Sequence, residues 1–294
     1  MTQPFAHMDI TEVFCDVDDF CKVFEPLLSG LLLPEVTGAT LPKTRMTLSE
    51  VMTVLIGFHG SRYRTFKDYY LLLVLPYWKR AMPNLVSYNR FVELMSYALL
   101  GLCCYLQTCK GELTGFSFID STSLKVCHPK RATGHKVFAD FATWGKNSIG
   151  WWYGFKLHLV INECGELLAF KVTPANVDDR AIVPDLVEGM VGRMFGDKGY
   201  ISAQLFNQLY ANGLKLVTRV RRNMKNQLVE MFDKQMLRHR GVIESVNDQL
   251  KHLCQIDHSR HRSVINFMVN LVAGLIAYTY HPEKPSVLWE PALL

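Results

Sequence analysis

Two short apolar runs that each meet an aspartate do most to restrict how this chain can fold. Phe116-Ser-Phe-Ile-Asp120 reads as a buried strand ending at Asp120, and Arg193-Met-Phe-Gly196 as a second strand leading into Asp197. Asp197 lies in a turn bracketed by Gly196 and Gly199. The two carboxylates are far apart in sequence, so only a folded core can bring them together. A third acid, Glu244, falls on a helical stretch. On a helix of about 3.6 residues per turn, Arg240, Glu244, Asn247 and Lys251 share one face. Val242, Ile243, Val246, Leu250 and Leu253 form an apolar stripe opposite them. An ordinary amphipathic surface helix has the same spacing; the two aspartates and the strand order favour a site. Two Asp from strands and one Glu from a helix are the ligands that a pair of divalent metals needs for attack on a phosphodiester. That points to an enzyme acting on nucleic acid.

The texture of the chain changes near Gly115. Before it the sequence reads as helical: Thr47-Leu-Ser-Glu50 has capping-box spacing ahead of an apolar run, and Ser87 can cap a later helix. After it, residues 116–120, 151–161 and 166–173 read as strands, the second alternating Phe155, Leu157, Leu159 and Ile161 against Lys156 and His158. A helix over 178–189, a strand over 193–196, a helix over 202–212 and a strand over 214–220 follow. A helix starting near Arg238 and a last apolar one over 264–280 complete the set. The order βββ-α-β-α-β-α predicts an α/β fold, a ribonuclease-H-like mixed sheet with flanking helices, preceded by an all-helical N-terminal domain. The expected divisions are residues 1–112, 113–262, and 263–294 as a C-terminal helix packing on the catalytic domain.

Charge distribution agrees with a polyanionic partner. The net charge is only +5, yet residues 215–262 carry eleven Lys/Arg and four His against five acids. Positive charge around clustered carboxylates offsets their repulsion of a phosphate backbone. The eight cysteines include no C-x-x-C pair, and the first ten residues lack a basic stretch followed by an apolar one. Reduced thiols in a cytoplasmic protein are therefore expected. The apolar stretch 267–280 is interrupted by Asn270 and falls short of the ~20 residues that span a bilayer, so no membrane partner is expected.

Four segments carry a family resemblance: Ile119-Asp120-Ser121, Asn176-Val-Asp-Asp179, Gly196-Asp197-Lys-Gly199-Tyr200, and Arg240-x3-Glu244-x6-Lys251. Together they resemble bacterial insertion-sequence transposases with a DDE catalytic domain, most closely insertion-sequence family 982. The last segment fits that group's Y-(2)-R-(3)-E-(6)-K signature except that Leu237 stands at the Tyr position. The resemblance implies Asp120, Asp197 and Glu244 as catalytic metal ligands for two Mg²⁺ ions, with Mn²⁺ able to substitute. It implies hydrolysis at the element's end, then attack of the freed 3′-hydroxyl on target DNA. The implied partners are double-stranded DNA, as terminal inverted repeats and as target, and further copies of the chain, a dimer when bound to DNA. A ribonuclease-H-like nuclease without strand transfer, or an inactive DNA-binding derivative, would share most of these features.

Other residues carry weaker expectations. Arg240, Lys251, Lys156, His158, Lys198 and Asn247 are candidates for DNA contact. Asn176 and Asp179 precede a helix and either cap it or join the site. Trp144, Trp151 and Trp152 lie near Lys146, a mixture that can stack on unpaired bases but more often packs in a core. Cys254, His258 and His261 lack regular zinc spacing, and the adjacent Cys127 and His128 would point to opposite faces of a strand. Arg45, Arg62, Arg64 and Lys67 and the helix start at Ser87, Asn89 and Arg90 make residues 1–112 a candidate DNA-end-binding domain.

Overall fold

The structure, a computed structural model, describes residues 8–31, 44–147, 150–219, 230–257 and 261–287. The chain divides into two compact units. One comprises residues 1–109, 250–256 and 261–282; the other comprises 110–249, 257–260 and 283–294.

The first unit is built of helices: α1 (Ile10–Leu31), α2 (Leu48–Gly60), α3 (Phe66–Tyr69), α4 (Tyr88–Met95) and α5 (Ala98–Thr108). The Thr47 side chain accepts from the Glu50 amide at 3.1 Å while Glu50 accepts from the Thr47 amide at 2.9 Å, so the predicted capping box starts α2. Ser87 likewise caps α4. Helix α3 continues through a π-helical turn, Tyr70–Val74, before a short last piece, Leu75–Tyr77. Tyr69 and Tyr70 are fully buried there, and the Tyr70 ring packs 4.8 Å from Phe91.

Helix α10 (Val264–Thr279) belongs to this unit and packs against α2 and α5. The expectation that residues 263–294 pack on the catalytic domain is thus corrected for the helix. Val269, Leu271, Val272, Leu275 and Ile276 are all buried, and a helix apolar on every side needs an interior of other helices. Residues 283–287 do lie with the second unit, where the Val287 amide donates to the Glu163 carbonyl at 2.8 Å. Among the described residues no single helix is long and apolar enough to cross a membrane.

The second unit holds one six-stranded mixed sheet with flanking helices, as the sequence predicts in outline. Its elements are β1 (Phe116–Cys127), β2 (Thr143–Lys146), β3 (Trp151–Ile161), β4 (Leu167–Pro174), α6 (Val183–Leu186), β5 (Gly192–Gly196), α7 (Ala203–Ala211), β6 (Leu214–Thr218), α8 (Met231–His239) and α9 (Gly241–His252). Strand β3 runs antiparallel to β1, and β1, β5 and β6 are parallel neighbours. The far side of β3 serves two strands in turn, β2 along Trp151 to Gly154 and β4 along Phe155 to Ile161. Gly154 marks the change with φ +155, and a Cβ there would sit 2.1 Å from the Leu124 carbonyl, so no side chain fits. Ile119, Val160, Leu168, Met194 and Leu216 join Leu186, Leu205 and Leu209 from α6 and α7 in one apolar cluster.

Four local readings change. Strand β1 does not end at Asp120 but runs on to Cys127, because β3 keeps pairing with it after β5 has stopped. Strand β2 was not visible in a segment of only four residues. The helix expected over 178–189 shrinks to Val183–Leu186. Asp178 instead binds the Arg180 amide at 2.9 Å and its guanidinium, which favours a turn, and Pro184 allows only a helix start. The helix starting near Arg238 is two helices that meet at Arg240.

His59 of α2 is fully buried, with Nδ1 2.5 Å from the Cys254 carbonyl oxygen. Burial lowers its pKa from 6.5 to about 4, partly opposed by that hydrogen bond. A depressed His favours the neutral folded form, so its contribution is whole above 6.5 and is lost as pH falls toward about 4. Denaturant melts of the His59→Gln protein should show a shallower loss of stability than the parent across that window.

Candidate active site

The parallel pairing of β1 with β5 sets two of the acids. Phe116, Ser117 and Phe118 lie opposite Arg193, Met194 and Phe195, and continuing that register by two residues brings Asp120 level with Asp197. Between them Gly196 packs so closely that a Cβ would meet the Tyr200 ring at 3.1 Å and Ile119 at 3.2 Å. Asp197 caps the turn Lys198–Tyr200, its Oδ1 accepting from the Gly199 amide at 2.7 Å. Gly199 is needed here, because a Cβ would stand 2.8 Å from that same oxygen.

Glu244 comes from α9, and the helix before it is held by a buried acid that the sequence reading missed. Asp233 on α8 is 1% exposed and accepts from Arg193 of β5 at 2.8 Å and from Lys215 of β6 at 2.9 Å. It ties α8 across two adjacent strands. The signal was faint, since Asp233 is one more charge in a charged stretch and its partners lie 40 and 18 residues away. Along α9, Val242, Ile243, Val246 and Leu250 are buried as predicted, whereas Leu253 is 43% exposed, outside the helix.

Asp197 and Glu244 line one cleft of about 440 Å³, together with Lys198, Arg219, Arg238 and Arg240. Arg240 donates to Glu244 one turn along the helix, and its Nη1 is buried without a hydrogen-bond partner. Leu237, at the signature's Tyr position, lines the same cleft, and its carbonyl accepts from Arg219 at 3.0 Å. Asp120 lies deeper and partly buried, with Asn247 Nδ2 3.4 Å from its Oδ2. Burial pushes the Asp120 carboxyl from 3.8 up to about 6; Arg240 opposes this, and the charges of Asp197 and Glu244 add to it. All three acids therefore share one electrostatic neighbourhood.

The family profile described as "Transposase DDE domain" matches residues 110–264. The chain belongs to that family. Among solved structures it is similar to piggyBac transposase in a synaptic complex with hairpin DNA, with a TM-score of 0.45 and 11% identity, covering 95% of this chain and 76% of that one. No curated protein matches it.

DDE transposases generally use divalent metals, and the donor set of this DDE domain suits them: three hard carboxylates carrying a surplus of negative charge that raises Asp120. Yet among the described residues no three His, Cys, Asp or Glu side chains are gathered tightly enough to hold an ion. The acids share a neighbourhood without forming a closed chelate, and the Arg240 pair keeps Glu244 along its own helix.

The remaining DNA-contact candidates divide. Lys198 and Arg240 line the cleft, whereas Asn247 is buried against Asp120 and serves to position it. Lys251 is on the last turn of α9, within the first unit's share of the chain. Lys156 and His158 converge on Asp179 instead. Lys156 Nζ donates to Asp179 Oδ1 and to the Val177 carbonyl, both at 2.8 Å, and Ser121 donates to Asp179 Oδ2 at 3.0 Å. His158 is fully buried with Nε2 2.8 Å from Thr173 Oγ1, and burial lowers its pKa to about 4. It is neutral and presents no surface to a phosphate. Asp179 thus reaches the site through Ser121, the residue next to Asp120. Of the zinc candidates, Cys254 is buried and His258 lies outside the described residues. Removing the buried Asp233 leaves two cations with only Glu230 between them, so Asp233→Ala should cost about 3 kcal/mol in a denaturant melt.

Proposed function

We propose that this DDE domain belongs to a bacterial insertion-sequence transposase of the family-982 type. It cleaves DNA at the element's ends and joins the freed 3′-hydroxyl to target DNA. One observation carries the reading: Asp197 and Glu244 face the same cation-lined cleft, within the electrostatic reach of Asp120. The sheet order, with β3 antiparallel between β1 and β4, supports a ribonuclease-H-like description of residues 113–262. Residues 1–112 would then recognise the terminal repeats, and the protein would act in the cytoplasm as an oligomer that pairs two ends.

In this reading Asp120, Asp197 and Glu244 would hold Mg²⁺, or Mn²⁺ in its place, and two such ions would supply activation of the attacking oxygen and stabilisation of the leaving one. The protein's own residues do the rest. Lys198, Arg219 and Arg238 attract the phosphate backbone and offset its repulsion by the carboxylates. Arg240 neutralises Glu244. Asn247 fixes one oxygen of Asp120. Ser121 and Asp179 steady the strand beside it.

Asp120→Asn, Asp197→Asn and Glu244→Gln should each lower cleavage of end-bearing DNA in Mg²⁺ by at least about 10²-fold while gel shifts of the same DNA are unchanged. Cleavage by Glu244→Gln at the parent rate would remove Glu244 from the site. A pre-cut end separates transposition from hydrolysis alone, since only a transposase converts it to joined product.

A further inference from the structure

The connection from β1 to β3 carries a basic, aromatic surface that the cleavage chemistry does not use. Residues 128–147 hold four Lys/Arg against one acid. In the β2–β3 ribbon Trp144 pairs with Tyr153, Gly145 with Trp152, and Lys146 with Trp151. Paired residues share a face and neighbours alternate, so Trp144, Lys146, Trp151 and Tyr153 project from one side. Trp152 projects from the other, where it is buried over Gly145; a Cβ on that glycine would meet its ring at 2.8 Å. The sequence reading grouped the three tryptophans together, and the ribbon separates them. Trp151 is 60% exposed and Trp144 40% exposed, with the Lys146 ammonium 5.3 Å from the Trp151 ring centre. Core packing accounts for Trp152 alone.

Trp144 and Lys146 also line a second cleft, of about 380 Å³, with Asn176, Gly199 and two ion pairs, Lys156–Asp179 and Arg180–Asp178. Gly199 belongs to the Asp197 turn, which borders the first cleft through Asp197 and Lys198. A strand leaving the acids can therefore pass over that turn and arrive at the tryptophans.

We propose that this ribbon face binds unpaired nucleobases of single-stranded DNA next to the cleavage point, with Trp144 and Trp151 as stacking platforms and Lys146 facing the phosphates. This rests on the transposase reading for its DNA but not on catalysis. Charge selects the occupant: exposed indoles alone would suit many partners, whereas indoles beside Lys146, on a connection with four Lys/Arg against one acid, suit bases joined by phosphates.

The test uses the full chain in EDTA, with a labelled oligo-dT of about 12 nucleotides and a duplex of equal length as probes. Trp144→Ala and Trp151→Ala should each weaken oligo-dT binding about tenfold and leave duplex binding unchanged, while Trp→Phe at either position keeps most of the affinity. Melting curves of the Phe variants guard against a folding defect. Equal loss on both probes, or no loss on either, would overturn the proposal. So would an unchanged oligo-dT affinity accompanied by conversion of an oligomer to monomers, which would assign the face to a second copy of the chain. Binding of oligo-dT in EDTA needs neither metal nor turnover, so a failure of the cleavage reading is distinguishable from a failure here.

Discussion

The parallel pairing of β1 with β5 is the constraint on which the rest of the catalytic unit depends. Three pairs, ending at Phe118 opposite Phe195, fix which residues emerge together where the strands part. A slip by one residue would turn Asp120 toward the opposite face and replace it with an apolar Ile119 or a small Ser121. Gly196 lets Ile119 and Tyr200 close over its position, where a Cβ would be tightly crowded. Tyr200 is buried beside the acids, which together with burial push its phenol pKa up, so the ring closes the floor of the site as a neutral group.

Onto this pair of strands the helices are fastened electrostatically as well as by apolar packing. Asp233 neutralises cations on β5 and β6, and so joins the helix before the site to the strands that carry it. Arg240, at the junction of α8 and α9, does the reverse for Glu244. The excess of carboxylate charge that raises Asp120 and the excess of guanidinium around the cleft are two parts of one arrangement. Together they offset one another, so that the acids of the cleft lie among compensating cations.

Much of this was legible in the sequence because it depends on local periodicity. The alternation in β3, the capping box of α2 and the apolar stripe of α9 each leave a pattern within a dozen residues. The settings of two acids were legible as well, Asp120 after an apolar strand run and Asp197 in a glycine-bracketed turn. What could not be read depends on distant partners. Asp233 looks like a surface charge until Arg193 and Lys215 are beside it, and His158 looks like a polar strand residue until Thr173 and Asp179 enclose it. Helix α10 follows the acids in sequence, yet its all-round apolar surface suits the helical unit. The short helix at Val183 failed because Asp178 had a better local partner than a helical backbone.

The handover along β3 lets one strand serve two surfaces. Because one strand borders β2 before Gly154 and β4 after it, its two lengths answer to separate demands. The distal length can lengthen, shorten or exchange its aromatic cargo without disturbing the ladder opposite Asp120. Gly154, where a Cβ would meet the Leu124 carbonyl, is the border between the length that carries the aromatic ribbon and the length that lies opposite Asp120.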